Sequence, residues 1–502
     1  MDFIIYYGTE NIKLDITQEV LKKCRKDDYI LIPANDYVRA DLFTDPVPGL
    51  LKSIFIEKQD GTVLCYSDKI IIKIENDFKI VTNNFIKSAL VSIAKLEHDY
   101  IQQWVKYYLK LGFDQIFIYD NEDIPVYHKL INHPQVTVVH FPGNNFHKGV
   151  QYIALEHFIN NFINCFTHVA HFDIDEILVL KQHKSIKDFI SEYITGDCGA
   201  IGFNWRYFGS NGLTEKTDKP DIFRFTKCEI AGNHHIKTIF DVSKFAGWSV
   251  CHCITNQPGT YTKNTKGDII NGPFNENIDF SVAQLNHYKS KTLPEFQYIR
   301  TRGRADLSVQ PQEDVIESFN RYNINEMEDY HACMFYSDNL TDFLNNLDFK
   351  LNYNLNLNLL HDLTTIIKTL DFKTLNILEI GFNAPFSDFF LSNFDCRVVS
   401  FDNNYTKFAK MFIDYTYPDR HQLIIGDNFP EYKYEIIFID GRRENGKDLE
   451  NCKRFAHPGT LVILYNDSWN HSIPFIKHLH TVDYTSGICM SWGKYKFEFK
   501  VI

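Results

Sequence analysis

Two carboxylates spaced two residues apart, Asp173 and Asp175 in the run His171-Phe-Asp-Ile-Asp-Glu176, carry the clearest chemical potential in this sequence. Small and apolar residues lead into them, and the acids begin where a strand pattern stops. Residues i and i+2 of an extended strand share a face, so the two side chains are expected to point the same way. Like charges held face to face are costly. A divalent cation with oxygen ligands removes that cost, and its open positions accept phosphate oxygens. The competing expectation is an acidic strand end solvated by water. A second set lies nearer the C-terminus. Glu379-Ile-Gly381-Phe-Asn383 follows one strand pattern, and Asp402, Asp427 and Asp440 each close another. Glycine after a strand lets the backbone approach a cofactor closely. Acids at successive strand ends can take ribose hydroxyls, an adenine contact and the reacting group, so one sheet edge reads as a ligand crevice.

The elements that must position these groups follow from periodicity. Residues 1–85 hold short β-rich runs, FIIYY (3–7), YILIP (29–33), SIFI (53–56) and KIIIKI (69–74), and read as a small mixed domain without a catalytic constellation. Residues 88–335 alternate strand and helix patterns. ALVSIA (89–94) is a strand, and DYIQQWVKYYLKLGF (99–113) is a helix with Ile101, Trp104, Val105, Tyr108 and Leu109 on one face and Gly112 at its C-cap. QIFIYD (115–120), VTVVHF (136–141) and THVAHFDIDEILV (167–179) are further strands, so the expected class is α/β with a mostly parallel sheet. An Asn/Leu-biased stretch, 336–360, reads as a linker that turns helical near its end. Residues 361–502 carry five more strand patterns with helices between them, a second, Rossmann-like doubly wound sheet.

Composition sets the outer limits. For 502 residues, about three domains are expected. The net charge of −12 argues against a nucleic-acid binder, which needs a basic face. No apolar run nears the ~20 residues of a membrane span. The N-terminus lacks a basic start and an apolar stretch, so no signal peptide and a cytoplasmic location are expected. The 11 cysteines are scattered without a CxxC pair and read as reduced, buried residues.

The middle unit resembles glycosyltransferase family 92 and its family 2-like relatives. The shared blocks are Ala94-Lys-Leu-Glu97, Tyr100–Trp104, Leu111–Asp114, Ile118–Asn121, Phe172–Glu176, Asn204–Ser210, Arg224–Thr226, Lys237–Ile239, Leu285–Tyr288, Lys291-Thr292 and Arg302–Asp306. The resemblance implies a GT-A fold that moves a sugar from a nucleotide-sugar donor, a UDP-sugar above all, to a glycan or glycoprotein acceptor, with Mn2+ or Mg2+ and with inversion at the anomeric carbon. The family's Lys-Asn-Glu block reads Lys95-Leu96-Glu97 here. In this frame Lys95 and Glu97 contact the donor, and Asp173 and Asp175 hold the metal, with Asp175 favoured for direct coordination. His252 and His287 are candidates for a third ligand. Asp120 accepts from a ribose or base, or else caps a turn before Asn121. Lys237, Arg302 and Arg304 pair with diphosphate oxygens, or else form a solvated basic surface. Glu229 and Asp306 are the possible general bases. Trp205 and Tyr207 stack on an acceptor sugar, or else belong to the core.

The C-terminal unit resembles class I S-adenosylmethionine-dependent methyltransferases of the methyltransferase-24-like group, through Leu378–Ala384, Val399–Asp402, Tyr417–His421, Ile425–Asp427, Ile437–Gly441 and Leu449–Cys452. The resemblance implies an S-adenosylmethionine site at Glu379, Gly381, Asn383, Asp402, Asp427 and Asp440. The chain departs from the group at Pro385, where a second glycine is expected, at Arg442-Arg443 in place of Gly-His, and at Tyr465-Asn466 in place of an acidic pair. The combined expectation is a glycosyltransferase whose C-terminal unit methylates the product glycan, with fusion raising the local concentration of product. Two other readings stay open: a methyltransferase with a glycan-binding GT-A unit, and a non-enzymatic glycan-binding or structural protein. The mosaic and its Asn/Ile/Lys-rich composition resemble giant-virus proteins, which implies host cytoplasm or virion.

Overall fold

A computed structural model describes residues 3–26, 28–68, 70–76, 79–82, 85–143, 149–306, 314–348, 363–365, 367–368, 370, 372–382, 384–402, 407–425, 432–440, 454–457, 460–466 and 496–501. The chain forms two compact units, Met1–Ala332 and Cys333–Ile502.

The first unit opens with two antiparallel sheets. One joins Phe3–Gly8, Lys13–Asp15, Ser53–Lys58 and Val63–Tyr66, and the other joins Tyr29–Ile32, Ile72–Glu75 and Ile80–Thr82. They share a core of Ile5, Tyr7, Val20, Ile32, Ile54 and Ile72. Arg39 is fully buried within this region, where its fork donates to the carbonyls of Pro33 (2.8 Å), Ser67 (3.0 Å) and Ile70 (2.5 Å). Burying a guanidinium is tolerable only with its donors satisfied in this way.

The larger sheet carries the site. Among the described residues it has ten strands, and the eight that position the site are β1 (Ser88–Ala94), β2 (Gln115–Asp120), β3 (Val136–His140), β4 (His168–His171), β5 (Glu176–Leu180), β6 (Cys198–Tyr207), β7 (Asn233–Asp241) and β8 (Ala283–His287). The first four are parallel, in the order β3-β2-β1-β4. β7 pairs antiparallel with β4 and β6, and β8 runs parallel to β6 and antiparallel to β5. The sheet is therefore parallel in its first half and mixed in its second. The 167–179 run is also two strands rather than one, with β4 and β5 lying on different partners.

β1 lies between β2 and β4, so the chain order reverses there, and the carboxyl ends of these strands share one edge. That is where ligands bind in open α/β sheets. The helix α1 (Ile101–Leu111) buries Ile101, Trp104, Val105, Tyr107 and Tyr108, and Gly112 closes it in the left-handed conformation (φ 97°) with its N–H on Leu109. Its aromatic residues also hold the acidic turn. Trp104 Nε1 donates to the carbonyls of Asp173 (3.0 Å) and Glu176 (3.2 Å), and Tyr108 Oη donates to Glu176 O (3.0 Å) and accepts from Leu178 N (2.9 Å). The helices α2 (Val150–Asn161) and α3 (Leu293–Arg300) complete the surroundings.

The second unit contains β9 (Asn376–Ile380), α4 (Ala384–Asn393), β10 (Arg397–Phe401), α5 (Lys407–Thr416), β11 (His421–Ile424), β12 (Ile436–Asp440), β13 (Leu461–Asn466) and β14 (Lys496–Val501). Its sheet has the order β11-β10-β9-β12-β13-β14, parallel except for the antiparallel β14. Leu378, Ile380, Ile437, Ile439 and Val462 form its core. The two units together give a mixed α/β protein, and no helix among the described residues is long and apolar enough to cross a membrane.

Candidate active site

At the carboxyl edge of the large sheet lies a cavity of about 310 Å3. Lys95, Glu97, Asn121, Asp173, Asp175, Trp205, His252, His287, Arg302, Arg304 and Asp306 line it, together with Gln151, Lys289 and Arg300. Residues spread over more than 200 positions of sequence thus converge on one concave surface.

The acidic pair does not sit on an extended strand. β4 ends at His171, and residues 173–176 form a turn closed by Glu176 N on Asp173 O at 3.0 Å. The i, i+2 argument therefore does not apply, and the two carboxylates have separate partners. Asp173 accepts from Gln151 Nε2 (2.9 Å) and from Lys237 Nζ (2.9 Å). Burial pushes its carboxyl up, but Lys237 and His171 more than offset this and hold it down at about 2. Asp175 faces His287, Oδ2 to Nε2 at 3.4 Å. Burial raises it too, and His287, Lys291 and Arg302 together hold it well below the usual carboxylate range. Glu176, quoted within the motif but given no role from sequence, is fully buried. Its Oε2 accepts from Asp173 N (2.8 Å), and its Oε1 is unpartnered. Burial lifts its carboxyl to about 8 against the pull of Lys237.

Lys237 is not placed to meet a ligand. It is almost wholly buried, does not line the cavity, and sits between Asp173 (2.9 Å) and Glu176 (3.5 Å). It orients the acidic turn instead of presenting a charge to a diphosphate. Asp120 likewise does not line the cavity. Its carboxylate accepts from the N–H groups of Glu122 (3.1 Å), Val126 (2.7 Å) and Tyr127 (3.1 Å), the turn-forming arrangement, while its neighbour Asn121 reaches the cavity.

Arg302 donates to the carbonyl of Lys95 (2.6 Å) and to Glu97 Oε1, tying the chain after α3 to the end of β1. Glu97 is buried with its Oε2 unpartnered, and burial raises its carboxyl despite Arg302 and Lys291. Leu96 before it takes a left-handed φ of 57°, its N–H on Glu122 Oε1 at 2.6 Å. Asn tolerates that conformation far better than Leu. Arg304 grips Asp306 with two hydrogen bonds, 3.1 and 2.7 Å.

Of the two possible bases, Asp306 lines the cavity and Glu229 does not. Glu229 is buried and accepts from Tyr207 N at 2.7 Å. Trp205 reaches the cavity, but His235 stacks on it (4.9 Å, 18°), and His287 and His252 meet it edge-on at 4.4 and 5.1 Å. Tyr207 is buried against His287 and Tyr322, away from the cavity. Histidine rings thus crowd Trp205 at the cavity wall, and Tyr207 does not line the cavity. His252 shares its Nδ1 with the carbonyl of Ile236 at 3.1 Å, and burial lowers its pKa to about 3. Among the described residues no three His, Cys, Asp or Glu side chains converge as a ready-made metal cage.

Sequence reasoning did not single out Gln151, Lys289 or Arg300. Gln151 sits in the first turn of α2, whose N-cap is Gly149 (φ 85°), where a Cβ would lie 2.8 Å from the Ala305 carbonyl. Arg300, Arg302 and Arg304 alternate along one segment, and that spacing was the available signal for Arg300.

In the second unit, Gly381 turns after β9 with φ 90°, its N–H on Phe401 O at 2.8 Å, and Phe382 N donates to Asp402 Oδ2 at 3.0 Å. The glycine turn and the acid at the end of β10 are thus adjacent. Glu379 is wholly buried, where it accepts from Ser387 (2.6 Å) and Ser400 (2.5 Å), so its carboxylate is engaged inside the unit instead of lying at the edge. Asp440 ends β12. Asn383, Asp427 and Arg442-Arg443 lie outside the described residues.

No curated protein matches the chain. Among solved structures, the chain is similar to a putative caffeoyl-CoA O-methyltransferase from Staphylococcus aureus, at 18% identity over 32% of this chain and 90% of that one, with a TM-score of 0.25. It is also similar to the C-terminal domain of precorrin-6Y C5,15-methyltransferase from Rhodobacter capsulatus, at 13% identity over 28% and 86%, TM-score 0.21. A third is the ribosomal protein L11 methylase from Lactobacillus delbrueckii subsp. bulgaricus, at 12% identity over 29% and 79%, TM-score 0.23. Residues 88–332, the segment that holds the cavity and every residue lining it, match the family model of glycosyltransferase family 92.

Proposed function

We propose that residues 88–332 transfer a sugar from a nucleotide-sugar, a UDP-sugar in the first instance, to a glycan acceptor with inversion. The observation that carries this reading is the cavity at the switch point of the sheet, with Asp175 and His287 facing each other inside a ring of cations within the family-matched segment. The donor set suits a divalent cation that arrives with a diphosphate. Such ions take one or two protein ligands and fill the rest from phosphate and water, and an oxygen and a nitrogen 3.4 Å apart can serve as two neighbouring ligands. Asp175 and His287 would hold the ion, and Asp173, engaged by Lys237 and Gln151, would orient the turn. Bound there, the ion neutralises charge on the departing diphosphate.

Asp306 is the general base in this reading. The acceptor oxygen bonds to the anomeric carbon as the carbon–oxygen bond to the diphosphate breaks, and the acceptor proton passes to Asp306. Arg304 orients that carboxylate with two hydrogen bonds, the nearer at 2.7 Å. A panel of UDP-, GDP- and dTDP-sugars scored for metal-dependent hydrolysis tests the reading. Release of nucleoside diphosphate from one donor class supports it, and silence across the panel refutes it.

For the second unit we propose an S-adenosylmethionine site at the Gly381 turn, carried by the contact of Phe382 N with Asp402 at 3.0 Å. In this reading Asp402 accepts from a ribose. A rise in melting temperature with S-adenosylmethionine that Asp402→Ala abolishes supports this; no rise in the native protein refutes it.

A further inference from the structure

The cations around the cavity are not equivalent. Arg302 is paired with Glu97, and Arg304 with Asp306. Lys289 and Arg300 have no carboxylate within ion-pair distance among the described residues. The Lys289 ammonium rests over the Tyr322 ring, 3.9 Å from its centroid, with Tyr207 at 6.0 Å. Arg300 lies over Phe296 (4.7 Å), and among the described residues its guanidinium donates to the Ser318 hydroxyl (3.3 Å). Both side chains line the cavity and both are only partly exposed, and the Arg300 charge opposes that of Lys289 while Asp175, beyond ion-pair distance, favours it. Two neighbouring cations, backed by aromatic rings and a hydroxyl instead of acids, are costly until an anion lies between them. Helix Val315–Tyr322 supplies both Tyr322 and Ser318, so a single element aims the pair.

We infer that Lys289 and Arg300 form an oxyanion subsite that takes the sugar-bearing phosphoryl group of the donor diphosphate. This rests on the glycosyltransferase reading for the identity of the anion, while the subsite itself rests on the pairing pattern. Because the paired Arg302 and Arg304 already have their charge matched, the unpaired cations are the ones with net attraction left for a phosphoryl group.

The test is calorimetry on the full chain in metal-free buffer, with inorganic pyrophosphate as probe and methyl glucuronide as the carboxylate alternative. Native protein is expected to bind pyrophosphate. Lys289→Met and Arg300→Gln should each weaken it by about tenfold or more, the value of a lost charge-assisted contact. Lys289→Arg should restore most of the binding, which a merely structural role would not do, and thermal melts confirm that each variant is folded. The inference is overturned if native protein ignores pyrophosphate, if the variants bind it unchanged, or if they lose glucuronide and keep pyrophosphate. Pyrophosphate binding that depends on the pair, alongside no turnover of any nucleotide-sugar, would refute the glycosyltransferase reading and leave the subsite standing.

Discussion

Replacing Lys237 with Met is the sharpest structural perturbation of the site. It keeps much of the side-chain volume and removes the ammonium that lies 2.9 Å from Asp173 and 3.5 Å from Glu176. Breaking a fully buried pair by deleting one partner costs about 3–5 kcal/mol. Two features reduce that figure. The Asp173 side chain is 33% exposed, so water screens part of its charge, and Glu176, raised to about 8, can hold a proton once the lysine is gone. The expected cost is about 2 kcal/mol. Urea denaturation followed by tryptophan fluorescence measures it, with Trp104 as the local reporter because its indole N–H bonds Asp173 O and Glu176 O. Asp173→Asn in the Lys237→Met background should cost less than in the native protein, with a coupling of about 1 kcal/mol. The pH dependence has a definite sign. Asp173 is lowered, so its contribution is present above its unfolded value of 3.8 and is lost as pH falls through about 2. Lys237→Met should lose less stability over that interval than native protein. A variant within about 0.5 kcal/mol of native, or strict additivity of the two changes, would refute the positioning role of Lys237.

Three further outcomes are expected. Leu96→Asn should stabilise the first unit by about 1 kcal/mol in the same denaturation assay, because φ is 57° there and Asn adopts that region at lower cost. Gly149→Ala should destabilise by about 2 kcal/mol or more and raise the donor KM, since its Cβ would meet the Ala305 carbonyl at 2.8 Å at a φ of 85° and displace the 302–306 segment. Asp306→Asn should lower kcat by about 100-fold or more, while Glu229→Gln, which keeps an acceptor for Tyr207 N outside the cavity, should leave kcat within about threefold.

Much of the architecture was legible because local patterns carried it. The Ile101, Trp104, Val105, Tyr108 spacing and Gly112 give a helix that ends where the glycine takes φ 97°. The five strand patterns beyond residue 370 each hold an observed strand, Asn376–Ile380 through Leu461–Asn466. Less legible was whatever depends on distant partners. The motif at 173–176 reads as extended, yet it turns, because Trp104 and Tyr108 bind its carbonyls and β5 leaves to pair with β8. Lys237 reads as a partner for diphosphate oxygens or as part of a solvated basic surface, but Asp173 and Glu176, some 60 residues away, internalise it. Arg302 meets Glu97 across a separation of 205 residues, a pairing no local window contains. Asp120 was open between two readings, and three backbone N–H groups at 122, 126 and 127 determine its conformation.

The measurement that tests the central claim most directly is metal-dependent hydrolysis of the best nucleotide-sugar donor by native protein and by Asp175→Asn, across a manganese titration. Asp175 faces His287 at 3.4 Å inside the cavity, and loss of its charge should cut turnover by about 100-fold and raise the manganese concentration needed for half-activation. Turnover by Asp175→Asn equal to native, with an unshifted manganese dependence, would contradict the account.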